Sequence, residues 1–277
     1  MSDLVLIKGA GDLATGVAAR LYRAGFRILM TELPAPLCVR RTVSFAEAVV
    51  TGCHTVEGIT AVRADTVPAV RAALAKGWVT VAVDPDARLA MQLSPVAVVD
   101  AIMAKRNTGT RITDAPVVVA MGPGFTAGRD CHAVVETMRG HDLGRVLYQG
   151  SALPDTGIPG EIGGASTQRV LRAPSAGLFR NWVDITDKVA PGDIVGEVHG
   201  ADGNIQAVRT TIAGVVRGLV RDGTFVWEKL KIGDVDPRGE VSQCYTISDK
   251  ARAIGGGVLE ALLALRSRAG ESVAGHP

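Results

Sequence analysis

Three features of this 277-residue chain predict an α/β fold in two parts. Branched apolar runs that read as buried parallel strands alternate with amphipathic helical stretches through the first half. The first such run opens into a glycine-rich turn and then a helix, and from about residue 168 the texture changes to short strand-like segments with glycine at their turns. The expected organisation is therefore a Rossmann-like parallel sheet domain over residues 1–167, a small β domain over 168–243, and a C-terminal helix within 244–277 that packs back onto the α/β part.

The elements follow in order. Leu4–Ile7 reads as a buried strand, and Gly9-Ala10-Gly11-Asp12-Leu13-Ala14 gives the G-x-G-x-x-A form of the dinucleotide-binding fingerprint. Gly9 permits a tight turn, Gly11 lets backbone N–H groups approach a pyrophosphate, and Ala14 lets helix and strand pack closely. The helix start at Asp12 offers unpaired N–H donors and a partial positive charge. Leu13, Val17 and Leu21 share one helix face, and the second strand, Phe26–Thr31, ends at Glu32, placed to accept from a ribose 2′-OH. A solvated strand end is the bland alternative for Glu32. Ser44-Phe45-Ala46-Glu47 has the pattern of a capping box, predicting a helix from Phe45 to Gly52. A further helix is expected over Pro68–Lys76, strands over Trp78–Val83, Val96–Val99 and Pro116–Met121, and a helical stretch over 101–106. Glu32, Asp84, Asp100 and Gly122 all fall at strand ends and are expected to face one cleft.

Composition narrows the function classes. The apolar fraction of 47% supports sizeable cores, and a formal net charge of +2 points away from a nucleic-acid surface. The chain enters a strand without the signature of a signal peptide, and no apolar run approaches membrane-spanning length, so a cytoplasmic protein is expected. Cys38, Cys53, Cys131 and Cys244 are scattered without ligand spacing, so neither disulfides nor a metal site is expected.

The middle of the chain carries a second glycine-rich loop, Gly122-Pro123-Gly124-Phe125-Thr126-Ala127-Gly128, able to present N–H groups to an anion or simply to form turns. Arg106 and Arg139 suit bidentate binding of a phosphate or carboxylate, although a cation near a helix end also offsets the helix dipole. No catalytic residue is assigned. His141 is a candidate acid or base and Cys131 a candidate thiolate, against the plainer readings of a surface histidine and a small buried hydrophobe. Arg40 and Arg41 fit either a 2′-phosphate or helix flanking.

Farther on, Ala176–Phe179 matches Ala213–Val216 in a weak repeat of 37 residues, and the half-repeat pattern resembles the biotinyl/lipoyl-type barrel-sandwich. The turn between the halves, Gly200–Asn204, holds no lysine, so carrier chemistry is not expected. Ser248–Arg268 reads as a long amphipathic helix interrupted by Gly255–Gly257.

A family resemblance joins these motifs. KGAGDLATGVAARLYRAGF, RRTVSFAEAV, AKRNTGT, GPGFTAG, ETMRGH, LGRV, TGIPG, GDVDPR and ISDKARAIGGGVLEA, in this order from Lys8 to Leu262, resemble the YqeB-like accessory proteins of the selenium-dependent molybdenum hydroxylase system; Cys131 and Met138 lie outside that pattern. The resemblance implies a maturation factor whose N-terminal half is similar to XdhC-type chaperones. Its ligand would be NAD(P) or a molybdenum cofactor nucleotide, held by Gly9, Gly11, Asp12, Ala14, Glu32, Gly122, Gly124 and Gly128. Its partners would be a molybdenum hydroxylase and that enzyme's maturation proteins, with no nucleic acid, no membrane, and homo-oligomerisation open. The alternatives are a stand-alone NAD(P)-dependent oxidoreductase and a non-enzymatic scaffold that docks the hydroxylase.

Overall fold

The computed structural model describes residues 3–158 and 160–274, with side chains to residue 267; Pro159 of the Thr156–Gly160 loop lies outside the described residues. The chain folds as two units. One is built from the chain up to Pro36, from Ser44–Thr156 and from Ile247 onward; the other comprises Leu37–Val43 and Gly157–Thr246. The β unit therefore begins at Gly157 rather than 168, and it takes in a segment that the sequence assigned to the α/β half.

In the first unit the order is β1 (Leu4–Lys8), α1 (Asp12–Arg23), β2 (Arg27–Glu32), α2 (Glu47–Thr51), β3 (Cys53–Val56), β4 (Ile59–Arg63), α3 (Val67–Ala75), β5 (Val79–Val83), α4 (Arg88–Met91), β6 (Ala97–Asp100), β7 (Val117–Met121), β8 (Ala133–Val135), β9 (Val146–Leu147) and α5 (Asp249–Ala274). One nine-stranded sheet runs β3-β4-β5-β2-β1-β6-β7-β8-β9. The pairs from β4 to β8 are parallel, and both edges, β3 on β4 and β9 on β8, are antiparallel. Leu4, Leu6, Leu29, Val98, Val118 and Val134 are buried in one core beneath it.

This corrects the expected Rossmann-like parallel sheet in two respects. The sheet is mixed, because the Cys53–Arg63 stretch folds as a hairpin turning at Glu57-Gly58, both with positive φ. More consequentially, no helix joins β6 to β7 or β7 to β8. The expected helix at 101–106 does not form, since Met103 (φ 60°) and Lys105 (φ 61°) are left-handed. Helical cover comes instead from α5, which packs beside α1 and against β7, β8 and β9. Glycine makes that approach close: a Cβ on Gly16 would lie 2.6 Å from Ala251 Cβ, and one on Gly257 would meet the Gly144 carbonyl. The helix expected from Phe45 starts later: α2 begins at Glu47 and is followed by Gly52, while Phe45 N and Ala46 N donate to Thr15 Oγ1 and Ala10 O beside the first glycine-rich loop.

The second unit comprises β10 (Val170–Arg172), β11 (Gly177–Asn181), β12 (Lys188–Val189), β13 (Ile194–His199), β14 (Ile205–Arg209), β15 (Gly214–Leu219), β16 (Phe225–Val226) and β17 (Lys231–Asp236). They form two separate four-stranded antiparallel sheets, β10-β17-β15-β12 and β14-β13-β11-β16, around Phe179, Val195, Val198, Val216, Leu219 and Val235. Together with Leu37–Val43 these sheets replace the expected biotinyl/lipoyl-like barrel-sandwich. The internal repeat does reappear in the strand register. Leu178 pairs with His199 and with Phe225, while Val215 pairs with Asp236 and with Lys188, so the halves are related by a quasi-two-fold exchange of strands.

Candidate functional site at the carboxyl edge

Strands β2 and β6 flank β1 on opposite sides, so the winding of the sheet reverses at the β1–β6 pair. In open α/β sheets that reversal leaves a crevice beyond the carboxyl ends of the two strands. Lys8 ends β1 and Asp100 ends β6, and the two are direct partners in register.

The crevice is covered by the chain itself. The connection after β6 lies as a strap between the two glycine-rich loops. Gly9 has φ +92°, and a Cβ there would fall 3.0 Å from the Ala101 carbonyl oxygen; Gly124 has φ +104°, and a Cβ there would fall 2.5 Å from Arg106 Cα. Both glycines therefore serve close approach of the strap. Within it Asn107 closes a turn: its Oδ1 accepts from Gly109 N and Thr110 N at 2.8 Å, and its Nδ2 donates to Thr110 O at 2.8 Å.

Under the turn sits a polar network. The Lys8 ammonium donates to Thr110 Oγ1 at 2.9 Å and to Asp114 Oδ2 at 3.1 Å. Thr110 Oγ1 donates to Asp100 Oδ2 at 2.6 Å, and Asp100 Oδ1 accepts from Ile102 N at 3.2 Å. Burial pushes the Asp100 carboxyl above its ordinary value, against the opposing pull of Thr110, Ile102 and Lys8.

The other acids at this edge are engaged by the chain's own N–H groups. Glu32 Oε2 accepts from Ala10 N at 2.9 Å and Oε1 from Leu33 N at 2.8 Å. Asp84 accepts from Ala90 N at 2.9 Å, and Glu136 accepts from Thr137 N, Met138 N and Leu153 N at 2.7–2.8 Å. The cleft-facing acids expected from the sequence are thus anchors for loops.

That geometry relocates most of the expected site residues. Glu32 folds back onto the Gly9–Ala14 loop instead of reaching out to a ribose, and Ala46 N donates to Ala10 O at 2.8 Å while Phe45 N donates to Thr15 Oγ1 at 2.8 Å. Gly11 caps α1 without a side chain and Asp12 opens its first turn, while Ala14 is buried. In the second loop Gly122 is held against Thr137, and the N–H groups of Thr126, Gly128, Arg129 and Asp130 are all satisfied within the loop. Arg139 is clamped on Asp249 by two hydrogen bonds of 2.8 and 2.9 Å. Cys131 is fully buried and its thiol is pushed up to about 12, chiefly by burial, so a reactive thiolate does not form there. His141 is exposed.

Arg106 stands apart. It is exposed on the strap, and its guanidinium makes no hydrogen bond or ion pair among the described residues; the same holds for Arg111, on the other side of the Asn107 turn. Sequence reading missed Arg111, for which the only signal was its position directly after AKRNTGT. It also missed Lys8, Thr110 and Asp114, which are brought together only by the sheet.

Among the described residues no group of three or more His, Cys, Asp and Glu is placed to hold a metal, and no helix is long and apolar enough to cross a membrane.

The fold and site define an α/β unit with a strapped carboxyl edge, attached to a quasi-symmetric antiparallel β unit. No family model matches the chain. It is 51% identical over 263 residues to the uncharacterized protein YqeB of Escherichia coli (strain K12), a match that covers 95% of this chain and 48% of that protein. The chain is thus YqeB-like in sequence and spans about half the length of that relative; nothing in the match shows a link to the selenium-dependent molybdenum hydroxylase system. Solved structures with some likeness include the apo form of the ectoine utilization protein EutE (DoeB) from Ruegeria pomeroyi, with a TM-score of 0.28, 14% identity and coverage of 83% of this chain and 85% of that one. An aspartoacylase family protein from Mesorhizobium loti has a TM-score of 0.27, 14% identity and coverage of 85% of both chains. A succinylglutamate desuccinylase from Silicibacter sp. TM1040 has a TM-score of 0.25, 13% identity and coverage of 84% of both. Likeness at this level carries no argument for fold or activity.

The function expected from sequence, a maturation factor, oxidoreductase or scaffold built on a dinucleotide-type ligand, is corrected by the geometry of the first glycine-rich loop. The physical reason lies in the fingerprint loop: Glu32 already accepts from Ala10 N, while Ala46 N donates to Ala10 O and Phe45 N to Thr15 Oγ1.

Proposed function

We propose that the α/β unit binds a small anionic ligand bearing a carboxylate or phosphate group, over the carboxyl edge at β1 and β6. The carrying observation is an imbalance of charge. The acids of this edge are engaged by backbone N–H groups, by Thr110 or by Lys8, whereas the guanidinium groups of Arg106 and Arg111, leaving the same Asn107–Thr110 turn, have no partner among the described residues. Two guanidinium forks at one turn suit bidentate recognition of a planar carboxylate or a phosphate. The left-handed Met103 and Lys105 support the same assignment, because backbone strain held in place by surrounding structure concentrates at ligand clamps. Lys8, Thr110 and Asp100 form the fixed polar floor.

Calorimetric titration with inorganic phosphate and with citrate at low ionic strength tests this. At least one of the two should bind saturably, and Arg106→Ala with Arg111→Ala should weaken it at least tenfold, about 1.4 kcal/mol. Arg139→Ala should leave affinity unchanged. No saturable binding of either anion, or equal affinity in the double variant, would remove the reading.

A further inference from the structure

The two halves of the β unit differ in what covers them. On the sheet β14-β13-β11-β16 one face is buried through Phe179, Val195, Val198, Val208 and Val226. On the other, strand register places Ile205, His199, Leu178 and Phe225 side by side in one row across all four strands. That row is open to solvent: Ile205 is 54% exposed, Leu178 43% and Phe225 62%. Trp227, just beyond β16, and Trp182, just beyond β11, are exposed as well, which accounts for two of the three tryptophans in the chain.

Shifted by the 37-residue repeat, Leu178, Arg180, Glu197 and His199 become Val215, Arg217, Asp234 and Asp236, and those four are 1–6% exposed. The difference is cover. Along β15 a Cβ on Gly218 would lie 2.8 Å from Val39 Cγ1, and the Val241–Cys244 turn lies on the same strand. The covering stretch Leu37–Val43 reads LCVRRTV and is fastened by its arginines. Arg40 Nη2 donates to the carbonyls of Gln243 and Thr246 at 2.9 and 3.1 Å, and Arg41 donates to the Leu219 carbonyl at 2.8 Å and to Asp184 at 2.9 Å.

We infer that the Ile205–His199–Leu178–Phe225 face is a docking surface for an extended, apolar and arginine-bearing segment of a partner polypeptide, equivalent in chemistry to the Leu37–Val43 segment that covers the other half. Behind the apolar row the charges are balanced: Arg180 donates to Asp222 at 2.9 Å, Glu197 Oε2 lies 3.4 Å from His199 Nε2, and Arg209 is exposed on the same face, so the occupant is inferred from the segment that covers the equivalent half. A contiguous apolar patch rimmed by such charges is the usual mark of an interaction site.

The test uses the full chain and a heptapeptide of the Leu37–Val43 sequence with serine at the cysteine position, followed by tryptophan fluorescence. Saturable binding is expected, weakened at least tenfold by Phe225→Asp and by Leu178→Asp, and abolished when both peptide arginines are replaced by glutamate. Both substituted positions are exposed, so thermal melts of these variants should match the wild type and exclude misfolding. Absence of saturation up to about 1 mM peptide, or affinity indifferent to both variants or to the arginines, would overturn the inference. Dimerisation in sedimentation velocity that Phe225→Asp abolishes would assign the face to a second copy of the chain and overturn it equally.

Discussion

Replacing Gly124 with alanine asks whether the second glycine-rich loop exists to admit the strap. Gly128, in the same loop, is the internal control. Both have positive φ, +104° and +87°, so each alanine carries the left-handed penalty of about 1–2 kcal/mol. Loss of glycine's unfolded-state freedom offsets about 0.4–1 kcal/mol of that at both sites. Beyond this the sites part. A Cβ at 128 meets nothing within 4 Å, whereas at 124 it would fall 2.5 Å from Arg106 Cα, 2.6 Å from Arg106 N and 2.8 Å from Lys105 C. The obstacle is backbone and cannot rotate aside; Asn107 fixes it on one side and the Lys105–Asp155 ion pair on the other. Overpacking of this kind costs about 1–3 kcal/mol. Gly124→Ala should therefore be less stable than Gly128→Ala by that amount. Urea unfolding followed by the helical far-ultraviolet signal reads it out, because every α-helix among the described residues belongs to the α/β unit. Equal midpoints for the two variants would refute the account of Gly124.

Two further predictions concern single groups. Iodoacetamide at mildly alkaline pH should alkylate the exposed Cys53 in the native protein and leave Cys131 unmodified until unfolding, by peptide mass spectrometry, because burial holds the Cys131 thiol at about 12; native labelling of Cys131 would contradict its burial. The Asp100 carboxyl titrates above its unfolded-chain value of 3.8, so the folded state binds the proton more tightly there. Its contribution to stability is present below that value and is lost as pH rises through the folded one. Asp100→Asn, followed by denaturation midpoints across mildly acidic pH, should flatten that decline; an unchanged slope would show that another group causes it.

Local pattern carried much of the framework. The run Leu4–Lys8, the helix behind it and the second strand lie where branched apolar residues and helical spacing put them, and the acids at 32, 84 and 100 do terminate strands or directly follow them. The 37-residue repeat was legible because equivalent glycines face equivalent carbonyls: a Cβ on Gly177 would meet the His199 oxygen, and one on Gly214 the Asp236 oxygen. What the sequence hid depends on contacts between distant residues. Six residues of helical composition at 101–106 say nothing about two glycines, at 9 and 124, that hold them as a strap. Nothing local marks residues 37–43 as belonging to the β unit, since their partners lie at 184, 219, 243 and 246. Arg139 looked available for an anion because Asp249 stands 110 residues away.

The same separation explains why a glycine-rich loop after a first strand did not imply the ligand usually associated with it. Such a loop exposes N–H donors that require negative charge, but the requirement does not specify its source. Here Glu32 supplies it at Ala10 N, and the Gly9 turn is pressed against the Ala101 carbonyl. A phosphate at that point would have to displace a carboxylate already held at 2.9 Å by the same amide and would stand beside its charge. With Glu32 held at Ala10 N and Leu33 N, the guanidinium groups of Arg106 and Arg111 remain without a partner among the described residues. The electrostatic signature of the edge therefore moves from its backbone amides to the side chains of Arg106 and Arg111. An anion bound there would be recognised by exposed guanidinium groups over a hydrogen-bonded polar floor, so removing the arginines should reduce affinity while leaving the Lys8–Thr110–Asp100 network in place.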